Sequence, residues 1–165
     1  MSGMAGLGVH FALTDEESQR LLAADGNQGV LAVVEQLEDG AGERAFDSER
    51  AWDALHRCLS NGTIYYDEGD YPLNRAVLGG KHLYDGDDFV AAYVSPDEVK
   101  DVAAALAPIS EQDLRKRYDA IDPDDYDGEP GDEDFAYIWE HFTAVRDLFK
   151  KAADAGRSVV FTVDQ

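Results

Sequence analysis

Four side chains in the middle of the chain carry the chemistry for a small site: Trp52, His56, Arg75 and His82. His56 follows Trp52 by about one helical turn, at the edge of an apolar stripe, so its imidazole would reach a cleft beside a large aromatic wall. With an ordinary pKa near 6.5 such a group serves as acid, base or ligand. Arg75, Lys81 and His82 flank Gly79-Gly80. A fold-back there would set Arg75 and His82 beside His56 as a basic patch able to hold an anionic ligand. The same residues also read without chemistry, with His56 bonding a backbone carbonyl at a helix boundary and the cations pairing with nearby carboxylates. The sequence leaves both readings open.

A second kind of chemistry is suggested by charge. The 14 Lys and Arg against 35 Asp and Glu give a formal net charge of -21 and, with it, a pI near 4.2. That field repels phosphate backbones and anionic headgroups, which argues against nucleic acid or a membrane surface as direct partners. It attracts a basic protein or a cation. Dispersed acidity has an ordinary explanation in solubility, so the acids that matter are those gathered in two loops: Asp67, Glu68 and Asp70 in one, and Asp124, Asp125 and Asp127 within 119–134 in the other. The second loop invites a calcium reading. Setting Gly128 at the sixth position of an EF-hand, however, puts Pro123 where the first carboxylate is required and Asp134 where Glu belongs, so the register fails.

Other motifs are missing. HExxH, CxxC, GxxxxGK[ST] and GxSxG do not occur, and Gly3, Gly6 and Gly8 lack the spacing of a dinucleotide loop. No metal or cofactor is therefore expected. Cys58, the lone cysteine, falls on the opposite flank of its helix stripe from His56, which suits a packed residue better than a nucleophile. No apolar run approaches the roughly 18 residues of a membrane span, and the first eight residues make a poor signal peptide. These features predict a cytoplasmic protein.

The elements that must position these residues follow from periodicity and caps. Strands are predicted over 7–13, 63–66, 89–94 and 158–163, with 89–94 the clearest central strand. Thr14 with Glu17 makes a capping box ahead of a first helix, and a second helix runs from about 27 to 37. Ser48 is read as the N-cap of a third helix reaching Leu59. Ser95-Pro96 and Ser110 open two more, and the longest helix spans about 133–155, with Phe135, Ile138, Trp139, Phe142, Val145, Phe149 and Ala152 in one stripe and Gly156 as its stop. The expected architecture is a single α/β domain, a layered sandwich in which a mixed sheet of about four strands is covered by helices.

The segment 52–62, from Trp52 to Gly62, together with Pro72-Leu73-Asn74-Arg75-Ala76-Val77-Leu78-Gly79-Gly80, resembles the YfbM-like family of bacterial proteins. Met4-Ala5-Gly6 and Leu114-Arg115-Lys116 resemble that family too. The resemblance implies a compact layered α/β fold without an established activity and transfers no catalytic residue. The leading expectation is a non-catalytic binding protein, in one form an antitoxin-like or inhibitory protein that recognises a basic partner. The alternative is a small-molecule enzyme or ligand-binding domain with a cleft at Trp52, His56, Arg75 and His82.

Overall fold

The computed structural model describes residues 6–164. Strands β1 (Gly8–Leu13), β2 (Ala45–Glu49), β3 (Lys81–His82), β4 (Phe89–Val94) and β5 (Ser158–Asp164) form one sheet in the order β2-β1-β5-β4-β3, with every neighbouring pair antiparallel. Helices α1 (Asp15–Leu22) and α2 (Gly26–Gly40) cover one face. Helices α3 (Ala51–Leu59), α4 (Pro96–Leu106), α5 (Glu111–Asp119) and α6 (Asp132–Ala155) cover the other.

The side-chain period of a strand explains the two cores. Phe11 and Leu13 point to α1 and α2 while Ala12 points to the larger helical layer, and Val160 opposes Val159, Phe161 and Val163 in the same way. Because both faces are covered, β5 is buried along Ser158–Val163, which accounts for its nearly unbroken apolar run.

The capping signals act as the sequence suggests. Thr14, Ser95 and Ser110 each accept from the backbone N–H three residues on, and Glu17, Glu98 and Asp113 reach back to the cap amides. Helix α6 ends in a left-handed Gly156, φ 70°, with Gly156 N–H donating to the Ala153 carbonyl at 3.1 Å and Arg157 N–H to that of Ala152 at 2.8 Å.

Four expectations are corrected. The sheet has five strands and is wholly antiparallel, rather than about four and mixed. Residues 63–66 form no strand, while β2 and the two-residue β3 do. Ser48 lies inside β2 and caps no helix: its buried hydroxyl donates to the Gly8 carbonyl at 3.0 Å, and the helix starts at Ala51 after Glu49 turns left-handed at φ 51°. Strand β4 is next to the edge, and β5 holds the centre. In the α6 stripe Leu148 is buried, whereas Trp139 is only partly so and stacks on Phe142 at 5.5 Å. Of the residues carrying the family resemblance, Met4 and Ala5 lie outside the described part.

Cys58 is 1% exposed in this core, and burial pushes its thiol up to about 12. A thiolate is the reactive form. In native buffer at neutral pH, Cys58 is therefore expected to resist a disulfide reagent such as DTNB, with one equivalent released only on adding denaturant. Prompt labelling of the folded protein would contradict this packing.

Candidate functional site

Helix α3 organises the middle of the molecule, but it does not build the cleft that Trp52, His56, Arg75 and His82 were expected to share. Trp52 is 3% exposed and donates its indole N–H to the Gly6 carbonyl at 3.0 Å. His56 is fully buried: Nε2 donates to the Tyr65 carbonyl at 3.0 Å, and Nδ1 accepts from the Leu78 N–H at 3.4 Å. Burial lowers its pKa, and both ring nitrogens are occupied in the neutral form. His82 donates through Nε2 to the Leu78 carbonyl at 2.7 Å, and its ring packs tilted against that of Tyr66 with centroids 4.1 Å apart.

The two histidines are thus brought to opposite ends of one residue, Leu78, where they fasten the 60–72 loop to the segment before β3. They act as clamps on backbone, since neither nitrogen of His56 is left for a ligand. Arg75 donates to the Gly79 carbonyl at 2.5 Å and lies over the Tyr71 ring at 5.6 Å, with Glu98 3.8 Å away. Gly79 makes this turn possible, because a Cβ there would overlap the Asn74 carbonyl.

Trp52 faces elsewhere. With Asp53, Tyr126, Asp127, Asp134 and Tyr137 it lines a depression of about 310 Å³ that holds none of the other three. Bonded to the Asp53 of this lining is Arg57, 5% exposed, which meets Asp53 at 2.6 Å, one helical turn back, and Asp125 at 2.6 Å from the acidic loop. Its backbone carbonyl also receives the Gly62 N–H at 2.9 Å, at the start of the 60–72 loop. One residue therefore ties both acidic loops to α3.

The electrostatics of the depression are unbalanced. Burial raises the Asp53 carboxyl above its usual range, opposed by Arg57 and reinforced by Asp127 and Asp125. Asp134 accepts from the Tyr118 and Tyr126 hydroxyls at 2.6 and 2.9 Å, and burial followed by that carboxylate raises both phenols, Tyr118 to about 12. Among the described residues, no three His, Cys, Asp or Glu side chains are grouped so as to hold a metal ion.

The acids expected to meet a partner lie where solvent reaches them. Asp67, Asp70, Asp124, Asp125 and Asp127 are exposed and Glu68 is half-exposed, its carboxylate receiving the Asn61 amide at 2.8 Å. Sequence reasoning missed Arg57, Tyr126 and Asp134. The i, i+4 pair Asp53–Arg57 was visible, but its link to Asp125, 68 residues on, was not.

Residues 4–162 match the family model described as Domain of unknown function (DUF1877). The chain belongs to this family. The chain is also 28% identical over 116 residues to Protein YfbM of Escherichia coli (strain K12), covering 70% of this chain and 66%, just under two thirds, of the relative's length. The fold is similar to the crystal structure of a protein of unknown function, YfbM from Escherichia coli, with a TM-score of 0.69 at 19% identity over 95% of this chain and 99% of the other. The likeness of fold thus extends through the sheet and both helical layers. Among the described residues, no helix is long and apolar enough to cross a membrane.

Proposed function

We propose that this DUF1877 chain is a non-catalytic cytoplasmic binding protein whose two acidic loops, 60–72 and 120–131, make one face for a basic protein partner. An antitoxin-like or inhibitory role is the form of this reading that such a face serves best. The observation that carries it is Arg57, which holds Asp125 by its guanidinium and Gly62 by its backbone, so that acids distant in sequence flank the same helix. Exposed tyrosines support it too: Tyr65, Tyr66 and Tyr71 are each about half exposed beside Asp67, Glu68 and Asp70, and tyrosine with peripheral charge is the composition of a protein interface. Charge of this kind acts mainly on association rate and selectivity.

Of the cleft expected at Trp52, His56, Arg75 and His82, the small-molecule reading keeps support at the Trp52 depression, where aromatic walls and unbalanced carboxylates suit a single cationic group. Catalysis has no comparable support, since the imidazole of His56 is committed to backbone.

The test uses the chain with D67N, E68Q, D70N, D124N and D127N, leaving Asp125 to hold Arg57. A bacterial basic protein captured by the native chain at about 50 mM salt should be lost at about 500 mM and lost by the neutralised variant at low salt. Retention by the variant, or no salt-sensitive partner for the native chain, would count against the proposal.

A further inference from the structure

A separate cavity of about 320 Å³ opens where the short helix Gly42–Arg44, β2 and the later turns of α6 meet. Ala12, Phe46, Leu148 and Ala152 are among the side chains of its apolar lining. Arg44, Lys151 and Arg157 reach it from three stretches of chain, together with Glu43 and Asp147. Such a gathering of cations is unexpected on a chain with 14 basic and 35 acidic residues.

Two of these cations are already engaged. Arg44 grips Glu17 at 2.6 and 3.0 Å and donates to the Ala12 carbonyl at 2.7 Å, while Lys151 pairs with Asp147 at 3.0 Å. Arg157 is different. Every other buried or half-buried arginine, namely Arg44, Arg57, Arg75, Arg115 and Arg146, gives its guanidinium an acceptor. Among the described residues, half-buried Arg157 has no side-chain acceptor, although its backbone N–H is fixed to the Ala152 carbonyl by the turn that ends α6.

Open guanidinium donors beside an apolar surface have a natural complement. A planar carboxylate accepts two parallel N–H bonds from arginine, and a pocket that is mainly apolar with a few convergent polar groups is the usual form of a small-molecule site. The exposed carboxylates Glu43 and Asp147 in the lining allow one negative charge and oppose a second. We propose that this cavity binds a small organic monocarboxylate, its carboxylate on Arg157 and its hydrocarbon body against Phe46, Leu148 and Ala152.

The test is an NMR titration of ¹⁵N-labelled protein with sodium octanoate, 1-octanol and inorganic phosphate as probes. Octanoate is expected to produce saturable amide shifts centred on Ala144, Leu148, Ala152 and Arg157. R157Q should weaken it by at least about tenfold, since a charge-assisted hydrogen bond is lost, while unfolding is unchanged because the Arg157 guanidinium has no acceptor to lose among the described residues. R157K should fall between the two. Octanol binding as tightly as octanoate, equal affinity in R157Q, displacement of octanoate by phosphate, or no saturable shift at these residues would each overturn the proposal.

Discussion

Truncating Arg57 to alanine should lower the free energy of unfolding by about 3 kcal/mol, because one member of a buried ionic cluster is removed while its partners stay. The guanidinium is 5% exposed and bonds both Asp53 and Asp125, whose side chains are 21% and 58% exposed. Asp125 can turn to water, so its share of the loss is small. Asp53 cannot escape as easily: burial already raises its carboxyl, and without Arg57 nothing offsets Asp127 and Asp125. Urea unfolding followed by far-UV circular dichroism should register the loss. Adding D53N to R57A should restore more than about 1 kcal/mol, a coupling that identifies the stranded carboxylate as the source. Strictly additive effects would show that the pair is unimportant.

Acidification should reveal His10. Its ring is fully buried between Phe149 and Phe161, Nε2 donates to the Ala76 carbonyl at 2.7 Å, and Nδ1 has no partner. Protonating Nδ1 would create a buried, unpaired N–H, so burial lowers the pKa from 6.5 to about 4. A lowered histidine pKa favours folding fully above 6.5, where both states are neutral, and that contribution is lost as pH falls toward 4. The total is about 3 kcal/mol. Other groups also respond: Glu17, lowered by Arg44, weakens folding in acid, while the raised Asp53 and relief of self-repulsion oppose it. These are common to the native chain and to H10Q, whose amide can still reach Ala76. The difference between their stabilities should therefore shrink by about 3 kcal/mol across the window. A flat difference would mean that His10 titrates as if exposed.

Much of the fold was legible because its local signals agree with its packing. The boxes at Thr14, Ser95 and Ser110, the long α6 stripe and the apolar run of β5 each specify an element without help from distant residues. Strand β2 was hidden because Ala45-Phe46-Asp47-Ser48-Glu49 has little β-branched content and owes its form to pairing with β1. The reverse held at 63–66, where aromatic and β-branched residues suggested a strand, yet His56 and Asn61 hold the segment as a loop. The expected cleft failed for a related reason. A wheel diagram puts His56 at the edge of a stripe but cannot show that Tyr65 and Leu78 close over it. The acidic loops were readable as charge, whereas their assembly by Arg57 depends on a contact 68 residues apart.

The central place of β5 has a consequence for synthesis. This strand joins the β2-β1 pair to the β4-β3 pair, and its partners across Val9–Leu13 emerge from the ribosome some 150 residues earlier. Until residues 158–164 are translated, β1 and β4 each present an unpaired edge, and the two half-sheets have nothing to hold them together. Such edges are the usual starting points for mispairing between chains. The sheet therefore stays incomplete until β5 is available to close the gap.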